Sequence, residues 1–232
     1  MRSLLIAALL LLVPCVARAE DEAPSPPRAT SDLFPGAGHL TAAAATGLPF
    51  VGIAEAGIGV TNGFAVAAVF GITPSVVTAG LRPRVRVATS ERTAFVLVMP
   101  LLYYPSASAP GPGNIGTSPW LLARPELFWG GAIGARWQVM GGMGVVGAVS
   151  TDALGQALRG KKLAMPAYDG NPDAQNGFAG GIWNTIASRA SFALERDTHL
   201  FAEAGVVMKG VVPADDVGGP PIVVNVGAQH TF

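Results

Sequence analysis

Leu81-Arg82-Pro83-Arg84-Val85-Arg86-Val87 alternates strictly between apolar and basic side chains. Successive residues of a strand point to opposite faces, so this stretch predicts a strand with three guanidinium groups on one face and an oily opposite face. The same period recurs downstream. Leu121, Ala123, Pro125, Leu127 and Trp129 oppose Arg124 and Glu126, and Ile186, Ala190, Phe192 and Leu194 oppose Arg189, Ser191 and Glu195. Leu200, Ala202, Ala204, Val206 and Met208 oppose His199, Glu203 and Lys209; Ile222, Val224, Val226, Ala228 and Phe232 oppose Asn225, Gln229 and Thr231.

Composition narrows the class. A chain of 232 residues predicts one domain or at most two. Charged residues make up only 13% and hydrophobic residues 50%, with 30 glycines, which argues against disorder and for a membrane or export class. The formal net charge is zero and no polybasic block is present, so nucleic-acid binding has little support.

The amino terminus has the three parts of a secretory signal peptide: basic Arg2, an apolar run from Leu4 to Val13, and Ala17-Arg18-Ala19 at the cleavage site. Residues 1–19 are therefore expected to be removed. The single cysteine, Cys15, goes with them, so the mature chain can form no disulfide. Residues 20–38 contain Ala23-Pro24-Ser25-Pro26-Pro27 and show no apolar period, which predicts a proline-rich periplasmic tether ahead of a domain at 39–232.

Two stretches without charge, Ala56 to Leu81 and Thr93 to Ala123, are long enough for membrane helices. Asn62-Gly63 and Thr73-Pro74 break the first, and Pro100, Pro105, Pro110 and Pro112 break the second; the residues between favour strands of roughly ten residues. Connections alternate between tight (Asn62-Gly63, Ser90-Glu91-Arg92, Gly131 to Gly134, Arg196-Asp197) and long (Pro105 to Pro119, Ser150 to Gly177, Gly210 to Pro220). Membrane barrels have this asymmetry, with short periplasmic turns and long external loops. Tyr103, Tyr104, Trp120, Trp129 and Trp137 lie near expected strand ends, where aromatic girdles form.

The fold expected is an all-β, antiparallel, up-and-down transmembrane β-barrel. Its ten strands fall at roughly 39–48, 49–61, 64–73, 77–89, 93–104, 120–130, 135–149, 178–195, 198–209 and 221–232. An eight-stranded count would need Ala42-Ala43-Ala44-Ala45 outside the sheet and a second strand lost. A soluble periplasmic β-sandwich binding module would also alternate, and stands as the competing architecture.

The ending Ile222-Val223-Val224-Asn225-Val226-Gly227-Ala228-Gln229-His230-Thr231-Phe232 resembles the terminal strand of Gram-negative outer-membrane β-barrel proteins. That family ends in an aromatic residue with hydrophobes at alternate positions before it, matched here by Phe232, Ala228, Val226 and Val224, while His230 departs from the pattern. The resemblance implies residence in the outer membrane, recognition of this ending by the barrel-assembly machinery, and contact with outer-membrane lipid and lipopolysaccharide.

If the polar faces line a lumen, the inward residues are Glu55, Arg82, Arg84, Arg86, Arg124, Glu126, Arg136, Gln138, Arg189, Glu195, Glu203, Lys209, Asn225 and Gln229. In so narrow a barrel, opposite charges are expected to pair and fill the interior. Seven cations against four anions would alternatively favour a restricted pore for small anionic solutes. The expected function is thus a non-enzymatic structural or surface barrel, or such a pore.

No cofactor or metal is expected. Gly142-Met143-Gly144-Val145-Val146-Gly147 and Gly111-Pro112-Gly113-Asn114-Ile115-Gly116 fit the dinucleotide fingerprint, but the first comes late without a clear βαβ repeat and the second has a proline where backbone amides are needed, and strand curvature is the better use of their glycines. Asp169-Gly170-Asn171-Pro172-Asp173 starts like a calcium loop, yet Ala174 and Gly180 stand where glycine and glutamate are needed. Arg159-Gly160-Lys161-Lys162 is a basic loop that could meet anionic lipopolysaccharide. A barrel hydrolase is the alternative function; it would use His199 with Ser191 or Asp197, or the pair Asp215-Asp216.

Overall fold

A computed structural model describes residues 33–74, 76–90, 92–105, 119–151, 154, 158–159, 180–208 and 222–232. Its strand segments are β1 (Leu40–Leu48), β2 (Gly52–Thr61), β3 (Phe64–Ile72), β4 (Val77–Thr89), β5 (Thr93–Val98) and β6 (Leu101–Tyr104). They continue as β7 (Trp120–Ala123), β8 (Glu126–Ile133), β9 (Trp137–Ser150), β10 (Gly180–Ala193), β11 (Thr198–Val207) and β12 (Ile222–Thr231).

All segments belong to one antiparallel sheet, in which β12 pairs with β1 and β9 with β10, so the sheet closes on itself. Counting β5 with β6 and β7 with β8 as single crossings, the twelve segments make ten crossings. The interruptions fall at Met99-Pro100 and Arg124-Pro125, because proline has no N–H to give to the ladder. Neighbouring bonds bridge both gaps: Met99 N donates to Pro83 O at 3.0 Å, Arg124 N to Pro100 O at 2.9 Å and Val145 N to Pro125 O at 3.1 Å.

The alanine run lies in the sheet, with Ala44 opposite both Ala54 of β2 and Ala228 of β12, which excludes the eight-stranded count. The expected strand 49–61 begins later, at Gly52, because Pro49-Phe50-Val51 make the turn out of β1. A sandwich is also excluded: the sheet is closed on itself, and among the described residues no second sheet covers its outer face.

That outer face carries Phe70, Leu81, Val85, Phe95, Leu127, Met143, Ile186, Val206 and Val226, all exposed. Large apolar side chains around a full closed circuit are what hydrocarbon solvates and water does not. Tyr103, Trp129 and Trp137 are outward and exposed, as girdle residues would be. Tyr104, by contrast, faces the lumen, one residue out of phase with Tyr103.

One expectation needs correction within the described residues. The end of the anticipated tether, Leu33 to Gly38, enters the barrel at its tight-turn end. Leu33 and Phe34 are buried in a cluster with Ala65, Val96, Val98, Phe128 and Met140. Gly38 N donates to Gly59 O at 2.7 Å, and Gly59 N to His39 O at 3.0 Å. The physical reason is that a ten-crossing barrel needs more interior filling than its small residues on β1 to β3 supply, and Leu-Phe fills it.

Gly59 is the hinge of this arrangement: a Cβ built there would stand 1.9 Å from Gly36 O. Gly59→Val is therefore expected to expel residues 33–38 without opening the sheet. With Leu33→Cys as the reporter, a membrane-impermeant maleimide should leave the parent protein unlabelled and label the Gly59→Val variant. Equal labelling in the two would contradict the plug.

Candidate functional site in the barrel interior

Small inward residues make room for large ones. Arg82 lies opposite Ala67 and Arg84 opposite Ala65, so the guanidinium groups of β4 reach across the interior instead of meeting bulk. Glycine plays the same part on β9, where a Cβ at Gly142 would be 2.9 Å from the Phe128 ring and one at Gly144 2.8 Å from Glu126 Cγ. This is the structural use of one glycine run; the run at 111–116 lies outside the described residues.

The interior has three levels. Nearest the tight turns is the plug, where the Arg86 guanidinium sits 4.7 Å over the Phe34 ring as a cation–π pair. Above it lies an ionic layer. Glu55 pairs with Arg84 and, at 3.2 Å, with Arg82; Arg82 continues to Glu203 at 2.9 Å, and Glu203 pairs with Arg189. Arg189 also rests 4.4 Å over the Phe201 ring. These contacts join β2, β4, β10 and β11 across the lumen. Beside them Arg124 Nε lies 2.8 Å from Glu126 Oε1, and Thr185 Oγ1 donates to the same oxygen at 3.1 Å.

The third level is a cavity of about 680 Å³ towards the long connections. Phe50, Ile53, Val76, Leu102, Leu122, Val207 and Val223 make its walls; Glu55, Arg82, Arg124, Glu126, Glu203 and Asn225 make its floor.

The interior thus gathers Glu55, Arg82, Arg84, Arg86, Arg124, Glu126, Arg189 and Glu203, and Gln138, Asn225 and Gln229 are buried as well. Arg136 is elsewhere. It is exposed at the β8–β9 turn, with its guanidinium 6.0 Å over Phe192, because the strand ends before its side chain can turn inward. Glu195 sits in the β10–β11 turn, its N–H donating to Thr198 O at 3.3 Å, away from the ionic layer. Lys209 lies outside the described residues, as do Asp169 to Asp173, Lys161-Lys162 and Asp215-Asp216.

His199 is buried opposite Ala193 and Gln229, whereas Ser191 stands opposite Phe201 and Asp197 is exposed in the turn. The chamber's apolar walls escaped sequence reasoning, although their signal was present. Leu122 and Phe128 share the parity of Arg124 and Glu126, and Phe201 that of Glu203.

At the terminus Val224, Val226, Ala228 and Phe232 point outward along β12. Phe232 N donates to Leu40 O at 2.9 Å, and the His230 ring meets the Phe232 ring edge-on at 4.7 Å. His230 Nδ1 lies 2.9 Å from Thr198 Oγ1, so the histidine that departs from the terminal pattern has a polar partner at the rim.

A closed antiparallel sheet, an apolar outer circuit and an ionic interior define an outer-membrane-type transmembrane β-barrel. Similar solved structures include the N-terminal β-barrel domain of Pseudomonas aeruginosa OprF, at 9% identity over 84% of this chain and 96% of that one, TM-score 0.35. Ail of Yersinia pestis, in complex with the heparin analogue sucrose octasulfate, matches at 10% identity over 84% and 99%, TM-score 0.35. The NanC porin matches at 8% identity over 82% and 98%, TM-score 0.38. No family model and no curated protein matches this chain.

Proposed function

We propose that this chain is a small, non-enzymatic outer-membrane β-barrel of a Gram-negative bacterium, acting as a closed surface protein instead of an open pore. The observation that carries this is the cross-lumen network Glu55–Arg82–Glu203–Arg189, joined by Arg84, with Leu33 and Phe34 packed beneath it. Ion passage would have to break several buried charge pairs at once, each costly to separate in a low dielectric. Reconstituted in planar bilayers, the protein is expected to show no steady channel. Regular, anion-selective conductance steps would overturn the closed state.

Assembly follows from the terminus. Val224, Val226, Ala228 and Phe232 form an apolar outward stripe that the barrel-assembly machinery would read before insertion, with outer-membrane lipid covering it afterwards. Phe232→Ala is expected to lower the amount of heat-modifiable barrel in the outer membrane several-fold while leaving export intact. Unchanged outer-membrane yield would remove this role for the residue.

A further inference from the structure

We infer that the chamber above the ionic layer binds a monoanionic, single-chain amphiphile, with its carboxylate on the floor and its hydrocarbon chain between the apolar walls. The inference rests on the barrel reading and adds a ligand to it.

Size admits such a molecule. The cavity of about 680 Å³ lies within the usual range for small-molecule sites, and Phe50, Ile53, Leu102 and Leu122 give it an apolar lining. Such a space is poor in partners for water and rich in partners for methylene groups.

The floor selects the head group. Among the described residues, Arg82, Arg84, Arg124 and Arg189 share a layer with Glu55, Glu126 and Glu203, and Arg86 lies beneath them over Phe34, so five interior guanidinium groups stand against three carboxylates. A bound anion reduces this excess. A buried excess charge is costly, and a ligand carboxylate is the simplest way to neutralise it. Arg124 is the residue placed to receive it: it lines the chamber, its side chain retains 24% exposure, and one edge is held by Glu126. Its Nη2 lies where a Cβ at Gly205 would be only 3.3 Å away, so the glycine leaves space for this guanidinium.

Asn225 supplies the second, independent observation. It is 7% exposed, lines the same chamber, and its Oδ1 has no hydrogen-bond partner among the described residues. Buried side-chain amides are almost always satisfied, and the unpartnered end of this one, which can present either its oxygen or its NH2, marks a place for a polar group of something bound. A cationic or purely hydrocarbon ligand would leave the charge imbalance in place. A carboxylate at Arg124 answers the charge excess, and the Asn225 amide, turned to present its NH2, donates to that carboxylate.

The test uses the full mature chain in phosphatidylcholine nanodiscs, with empty nanodiscs as the control and laurate carrying a 13C carboxyl as the probe. One slowly exchanging carboxyl resonance, separate from lipid-partitioned laurate and saturating at one per chain, is expected. Dodecanol should compete at least ten-fold more weakly than unlabelled laurate, and dodecyltrimethylammonium should not compete. Arg124→Gln should weaken binding about ten-fold, and Ile53→Trp should abolish it by placing an indole ring across the path of the hydrocarbon chain. Both variants must keep heat-modifiable gel mobility to be scored; if Arg124→Gln does not, Ile53→Trp alone decides.

A correctly folded barrel that gives only the lipid-partitioned resonance, or whose bound resonance survives Ile53→Trp, overturns the ligand inference and leaves the closed-barrel reading intact. A protein that lacks heat-modifiable mobility and remains soluble without lipid overturns the barrel reading itself.

Discussion

Glu55→Gln should destabilise the folded barrel by about 3–5 kcal/mol, the range seen when one member of a buried ion pair is removed. Glu55 is one carboxylate serving two cations, Arg82 and Arg84, and the Arg84 side chain is only 3% exposed. Glutamine keeps the shape but removes the charge, so Arg84 would remain ionised in the interior with no anion beside it. Most of the loss is therefore the cost of an orphaned guanidinium, not the worth of the original pair. The double variant Glu55→Gln, Arg84→Met separates these contributions, because a methionine of similar length needs no counter-charge and should recover most of the stability. Reversible urea unfolding in lipid vesicles, followed by gel mobility, gives both numbers. A loss below about 1 kcal/mol, or no recovery in the double variant, would mean that the ionic layer is hydrated and does not close the lumen.

Leu81→Arg should cost about 2–4 kcal/mol, and Ile133→Arg no more than about 1 kcal/mol, by the depth dependence measured for charges on the lipid face of barrels. Leu81 is outward and exposed partway along β4, whereas Ile133 is outward and exposed at the last residue of β8, beside a tight turn. Both are four-carbon aliphatic side chains more than half exposed, so their difference reports mainly the solvent. In water an exposed arginine at either position would be nearly neutral. A gradient along the strand is thus the signature of a hydrocarbon slab, and equal, small effects at the two sites would contradict transmembrane placement. The same folding assay reads both variants, provided that the vesicle composition is held constant.

Much of the architecture was legible because a strand has a period of two. Arg82, Arg84 and Arg86 could share a face only as a strand, and the structure places all three inward with Leu81, Val85 and Val87 outward. Asn62-Gly63 marked a hairpin that forms between β2 and β3. Where periodicity met a strand end it misled: Arg136 and Glu195 keep the parity of lumen residues, yet each lies in a turn, beyond the last rung that would aim it inward. Tyr104 shows the opposite slip, since nearness to a loop made it a girdle residue while its parity already pointed it at the lumen.

What the sequence determined by itself was therefore local and directional: which segments extend, which face of each is apolar, and how many crossings the turns allow. Partnership across the lumen was decided only by closure of the sheet. Glu55 and Arg82 are 27 residues apart, and Arg82 and Glu203 are 121 apart. Alternation says that each points inward and is silent on the strand register and circumference that set who faces whom. The entry of Leu33 and Phe34 has the same origin, because only a closed cylinder lined by alanine and glycine creates a space for a Leu-Phe pair that, along the chain, looks like part of a linker.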